Sequence, residues 1–371
     1  MLFSENLGLI YYLLPFLFVV KNKISFIMQI LFNKTNYKIK LNNYTLKISA
    51  SQFNTILALL ATITYSTSYS INSDGKLVFD FGRKSRFTFN LNNLTFDDGN
   101  LLQTLFGGLR HGANFVTSDE DFQIHRDKTF KITEENSKRI IETPEGIKFY
   151  MNSIHPGNTI IQTFVRKNQL FSSKDNWNGK VIVDVGAECG DTPLYYANLG
   201  AKVYAFEPIN AHYDAMIRNM SLNPEISKNI IPINAAIGKD GILTFYQNTR
   251  NEIAEMASYV YNVHDKNVKT TKVTGYSFKT ALDKFNITHI DLFKIDCKGC
   301  EFSLTKEVLK NVDRVKISNT YDTAPERNQE KLIQLLEDAG FKCVIYRSNP
   351  NRDTASLRYA AQIYGIKQSI I

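Results

Sequence analysis

The stretch Val181-Ile-Val-Asp184-Val-Gly186-Ala187-Glu188-Cys189-Gly190-Asp191-Thr192 decides the fold of this chain. Its first five residues are β-branched and apolar except for Asp184, the composition of a strand buried on both faces. Two glycines four positions apart follow, and helical spacing resumes at Pro193. A strand that ends in a glycine turn and feeds a helix lets backbone approach a ligand while the first helical amides face it. Gly186, Ala187, Gly190, Asp191 and Thr192 are therefore candidate contacts, with Asp184 just before them.

Downstream, strand-like runs at Lys202-Val-Tyr-Ala-Phe206, Ile230 to Ile233, Leu292-Phe-Lys-Ile295 and Arg314-Val-Lys-Ile317 alternate with helical patterns at Pro193 to Asn198, Asn210 to Met220, Thr280 to Phe285 and Gln329 to Ala339. Alternation of this kind predicts βαβ units and a doubly wound, mostly parallel, Rossmann-like sheet, with ligand at the carboxyl ends of the strands. The second strand ends at Glu207-Pro208, about 20 residues past the glycine turn, where a carboxylate can accept ribose hydroxyls. The third leads to Asn234-Ala235-Ala236-Ile237-Gly238, whose small Ala235 and Ala236 leave a slot for a flat purine or form a simple turn. A carboxylate before the first glycine suits the cationic amino group of a bound amino-acid moiety better than a pyrophosphate. That favours S-adenosylmethionine over a dinucleotide.

The fourth strand runs into Asp296-Cys-Lys298-Gly299-Cys300-Glu301, a second glycine turn. If this strand lies beside the first, Asp296 and Glu301 face the same crevice and are the candidates for positioning an acceptor or taking its proton. Cys297-x-x-Cys300 offers two thiols, but a zinc site takes four ligands and no fourth stands out, so no metal is expected. Four cysteines at 189, 297, 300 and 343 are too few and too uneven for a secreted disulfide scaffold. They read as free thiols in a reducing compartment, with the cytoplasm as the expected location. The six histidines share no motif; His155 and His264 are the base candidates, and a surface position is expected for each.

Residues 1–158 form a separate region. Tyr37 to Ile48 alternates about Asn42-Asn43 as a hairpin, Gln52 to Thr64 is helical, and Lys76-Leu-Val-Phe-Asp-Phe81 pairs with Arg86-Phe-Thr-Phe-Asn-Leu91. This predicts an N-terminal α+β accessory domain before a methyltransferase-type domain over 159–371. Leu7 to Val20 and Ile24 to Phe32 are apolar, but Pro15 and Lys21-Asn22-Lys23 interrupt them. The readings of this run are a buried or partner-covered helix, an interfacial helix giving peripheral membrane contact, or a span. Net charge is +8, yet no clustered basic stripe and no base-methylation motif point to nucleic acid.

The four ordered motifs resemble the FkbM family of methyltransferases, whose strand ends look like D-V-G-A-x-x-G-D-T, A-F-E-P, N-A-A-x-G and K-x-D-x-E-G-x-E. The match covers Val181 to about Val315. The resemblance implies a class I methyltransferase fold, S-adenosylmethionine as donor and O-methylation of a hydroxyl on a glycan or another natural product. Two departures stand out: Lys298 occupies the place of the family's usual glutamate, and the fifth strand ends Val315-Lys-Ile-Ser318-Asn319 instead of in an acid near a histidine. They leave open an unusual, anionic acceptor or a catalytically weakened binding or scaffold subunit.

Overall fold

The computed structural model describes residues 17–32, 34–49, 52–82, 85–124, 127–154, 156–168, 175–248, 257–258, 268–297, 299–319, 329–347 and 361–370. The chain divides into two compact units, Met1–Asn168 and Gln169–Ile371. The segment Pro156–Val165 is a π-helix within the first unit.

In the first unit, β1 (Asn36–Leu41) and β2 (Tyr44–Ser49) form the expected hairpin, turning at Asn42, whose left-handed φ of 50° suits asparagine. A three-stranded antiparallel sheet joins β3 (Ser68–Ile71), β4 (Lys76–Asp80) and β5 (Arg86–Asn90). The expected helix is Phe53–Tyr65, and a second, Phe96–Arg110, packs beside it. That second helix starts on a reciprocal cap: Thr95 Oγ1 accepts from the Asp98 amide at 3.1 Å and Asp98 Oδ2 accepts from the Thr95 amide at 2.9 Å. A four-stranded sheet of β6 (Asn114–Val116), β7 (Thr129–Glu135), β8 (Lys138–Glu142) and β9 (Lys148–Tyr150) completes the unit.

Among the described residues, the second unit is built on a main sheet of seven strands and a smaller one of four. In chain order its strands are β10 (Val181–Val185), β11 (Lys202–Phe206), β12 (Ile230–Ile233), β13 (Ala236–Ile237), β14 (Gly241–Asn248), β15 (Ala257–Ser258), β16 (Val268–Tyr276), β17 (Leu292–Ile295), β18 (Arg314–Asn319), β19 (Phe341–Arg347) and β20 (Ala361–Lys367). The main sheet has the order β12-β11-β10-β17-β18-β20-β19, parallel from β12 to β18, with β20 antiparallel to both of its neighbours. This is the doubly wound sheet expected, with the order reversing at β10. The crevice between β10 and β17 is the topological switch point, where such sheets bind ligands. A second sheet, β13-β16-β14-β15, is inserted between β12 and β17.

The two faces of the main sheet differ in kind. Val183, Val185, Phe206, Phe293, Ile295, Val315 and Ile317 point to one side, where Phe278 and Ala281 of helix Phe278–Lys284 and Leu332 and Leu336 of helix Gln329–Asp338 cover them. The alternate residues at one register level across β10, β17 and β18 are Asp184, Lys294 and Lys316. All three are buried.

Candidate active site

The turn after β10 is closed by main-chain hydrogen bonds. The amides of Gly186 and Ala187 both donate to the Phe206 carbonyl, at 2.9 and 3.0 Å, so the first glycine turn is fastened to the tip of β11. Gly186 has φ of 85°, and a Cβ there would run into the carbonyl oxygen of Asp296. Gly190, also left-handed, caps helix Asp191–Asn198, and a Cβ on it would lie 2.8 Å from Met216 Cγ. Both glycines are thus demanded by neighbouring protein atoms as well as by turn geometry. Asp191 in the first helical turn carries negative charge where the helix dipole favours it. Thr192 lies beside it, buried.

Glu207 is the most firmly held acid of the group. Its Oε2 accepts from the Glu188 amide and its Oε1 from the Ile209 amide, each at 2.9 Å. Asn234 Nδ2 donates to the Glu207 carbonyl at 3.0 Å, tying in the end of β12. A carboxylate offers about four acceptor sites, so two amides leave capacity for a pair of hydroxyl donors. His212 was expected at the surface; it is buried, with Nδ1 3.5 Å from Glu207 Oε1, because its helix Asn210–Ser221 starts immediately after that strand tip. Pro208 follows Glu207. Ala235 is buried at the end of β12, and Ala236 is the first residue of β13 in the second sheet.

Asp184 differs from the carboxylate expected to face a ligand. Its side chain is wholly buried, and Lys294 Nζ donates to its Oδ1 at 2.7 Å and to the Gly186 carbonyl at 3.3 Å. Burial raises the Asp184 pKa against the opposing pull of Lys294. For Lys294, desolvation is outweighed by the carboxylates of Asp184, Asp296 and Asp191, which hold its pKa above the ordinary lysine value. One strand further, Lys316 is pushed down to about 7 by burial and then by repulsion from Lys294. Its Nζ sits 5.7 Å over the ring of Tyr364. Neither lysine was singled out by the sequence reading. The signal was present: a lysine inside the apolar runs Leu292-Phe-Lys-Ile295 and Val315-Lys-Ile317 breaks the pattern of a strand buried on both faces.

The second glycine turn lies beside the first, since β17 pairs with β10 and the Asp296 amide donates to the Val185 carbonyl at 2.8 Å. The structure therefore brings Asp296 against Gly186. Asp296 Oδ1 is buried without a hydrogen-bond partner among the described residues. Glu301 is turned inward, its Oε2 accepting from the Gly299 amide at 2.7 Å and lying 3.2 Å from Cys297 Sγ. Cys297 and Cys300 form a disulfide, not the free thiols expected, while Cys189 and Cys343 are not disulfide-bonded. The spacing of three residues brings the two sulfurs together across the turn. Ser318, at the place of the expected acid on β18, accepts from Gln362 Nε2 at 2.8 Å. Lys298, His155 and His264 lie outside the described residues.

The strand order, the switch point at β10 and the two adjoining turns are those of a doubly wound α/β domain whose ligand crevice lies at the strand tips. Residues 184–343 match the family model described as the methyltransferase FkbM domain, and on that match the chain is an S-adenosylmethionine-dependent methyltransferase. The chain is 27% identical to Methyltransferase sdnD of Sordaria araneosa, over 43% of this chain and 73% of that protein. Solved structures with some similarity include M. jannaschii TYW2 in complex with AdoMet, 16% identical over 64% of this chain and 84% of that one, with a TM-score of 0.33. Aeropyrum pernix fibrillarin in complex with S-adenosyl-L-methionine is 12% identical, covering 81% and 98% of the two chains, also with a TM-score of 0.33. Scores at that level carry no weight for what this chain binds or acts on.

Proposed function

We propose that the chain transfers the methyl group of S-adenosylmethionine to a hydroxyl on a carbohydrate-like, glycan or natural-product acceptor. The observation that carries this reading is the placement of Glu207, locked by two amides at the tip of β11, beside the glycine turn. When bound there, S-adenosylmethionine supplies an electrophilic methyl group on a sulfonium. Glu207 accepts the ribose hydroxyls with its remaining lone pairs. Gly186, Ala187, Gly190, Asp191, Thr192, Pro208, Ala235 and Ala236 shape the rest of the donor site. Asp184 acts at one remove, by fixing Lys294 against the Gly186 carbonyl.

On the acceptor side, the uncommitted Oδ1 of Asp296 receives the proton that the hydroxyl loses as its oxygen bonds to the methyl carbon and the carbon–sulfur bond breaks. Glu301, already bonded to the Gly299 amide, shapes the turn that presents Asp296. Holding the two reactants in line supplies the larger part of the rate, because a sulfonium needs little acid–base help. The test is labelled S-adenosylmethionine incubated with extract of the native cell and fractionated into small molecules, glycan, lipid, protein and nucleic acid. Label in a small-molecule or glycan fraction is expected; label confined to nucleic acid would contradict the reading.

A second reading is a binding or scaffold subunit that keeps the donor site and has lost turnover. It draws on Ser318, whose hydroxyl is bonded to Gln362 where the family resemblance implies an acid. Donor binding with no label transferred to any fraction would favour it.

A further inference from the structure

From Asn6 to Ser73 the sequence holds no aspartate or glutamate and six lysines, at 21, 23, 34, 38, 40 and 47. Within this stretch the helix Lys23–Leu31 is fastened along the free edge of β1. Asn22 Oδ1 accepts from the Lys40 amide at 2.7 Å and Gln29 Oε1 from the Lys38 amide at 2.6 Å, while the Asn22 side-chain amide donates back to the Lys38 carbonyl at 2.9 Å. Phe26 and Ile30 are buried, and Phe26 meets Tyr37 edge-on. The rotation of the helix is thereby set, and so is what it shows to solvent.

Ile24, Met28 and Phe32 recur every four residues, a spacing that keeps them neighbours on one stripe. They are 80%, 43% and 67% exposed, and Phe18, just before the helix, is 80% exposed. Lys21, Lys23 and Lys34 flank this stripe, with Lys23 Nζ 5.7 Å over the Phe18 ring. Lys38, Lys40 and Lys47 stand on the outward side of the hairpin, where burial alternates strictly with exposure along β1. None of the six has an ion-pair partner among the described residues.

Exposed large apolar side chains ringed by unpaired lysines match an interface that is both oily and negative. A second copy packed on the same face would oppose six lysines to six. A helix of nine residues is far short of the roughly 20 needed to span a bilayer, and no described helix is long and apolar enough to cross one. The geometry points to an anionic phospholipid bilayer as the partner of this face: Phe18, Ile24, Met28 and Phe32 enter the boundary between headgroups and acyl chains, and the lysines pair with anionic headgroups. Docking of this kind is independent of the methyl-transfer reading.

The test is co-sedimentation of the full chain with vesicles of phosphatidylcholine alone and of phosphatidylcholine mixed with phosphatidylserine. Binding to the mixed vesicles only, released by salt, is expected. Replacing Lys21, Lys23 and Lys34 by alanine should weaken it on the order of 100-fold at low salt. Ile24→Asp with Phe32→Asp should weaken it by more than about tenfold. All five positions are exposed or half-buried, and an unchanged thermal midpoint in each variant shows that the fold is intact. Absence of binding to anionic vesicles would overturn the inference. So would binding that both sets of substitutions leave unchanged, or self-association in solution that the apolar substitutions abolish while vesicle binding is absent.

Discussion

The turns after β10 and β17 are neighbours, each formed where a parallel strand passes through a glycine, yet they are built from different material. After β10 the main chain does the fastening: two amides converge on the Phe206 carbonyl, and two more hold Glu207. After β17 one main-chain bond, from the Asp296 amide to the Val185 carbonyl, is joined by side chains, with Glu301 folded back on Gly299, Cys297 bonded to Cys300, and one oxygen of Asp296 left over. A turn made by backbone amides keeps its shape across many sequences, whereas a turn made by side chains changes with each substitution.

The comparison breaks most severely at Lys294, which sits under both turns. Lys294→Met leaves the Asp184 carboxylate buried and unpaired, and unfolding in denaturant should show a loss of about 3–5 kcal/mol. A loss below about 1 kcal/mol would mean that Asp184 takes up a proton and that the pair does not hold the first turn. A smaller effect separates the turns. Asp296→Asn keeps the shape of the second turn but removes the proton acceptor, so turnover on an identified acceptor should fall roughly 100-fold, with donor affinity unchanged. Equal loss of both would place Asp296 in the donor site instead.

The smallest expected effect concerns Lys316, in register beside Lys294. Its folded pKa of about 7 lies below the unfolded value near 10.4, so between those limits the unfolded chain binds the extra proton. Stability should therefore rise with pH above 7, by about 2 kcal/mol up to about pH 9, and Lys316→Met should flatten that rise. An unchanged slope in the variant would show that Lys316 stays charged in the folded chain.

Much of this was legible before any coordinates. The parallel strands β10, β11, β12, β17 and β18 are marked by apolar and β-branched runs, and the helices between them by their spacing, because a parallel sheet covered on both faces imposes both patterns. The final antiparallel pair, β19 and β20, was missed: Phe341–Arg347 and Ala361–Lys367 are interrupted by polar residues and lack a short turn between them. The insertion β14–β16 was missed for a similar reason, since Val268–Tyr276 holds only two valines, five residues apart, among lysine and threonine. Offset alone put Glu207 at the tip of β11 and the glycines in the turn after β10, where the structure has them. The sequence had no means of showing that Asp184 is taken by Lys294, a pairing between residues 110 apart that only the register of β10 against β17 creates.

The central claim is that the tips of β10 and β11 hold S-adenosylmethionine through Glu207. Calorimetric titration of the full chain with S-adenosylmethionine, repeated on Glu207→Ala after confirming that the variant is folded, tests it most directly. Saturable binding by the native chain, reduced at least about tenfold in the variant, is the predicted result. A folded native chain that takes up no S-adenosylmethionine, or a variant that binds it as tightly as the native chain, would contradict it.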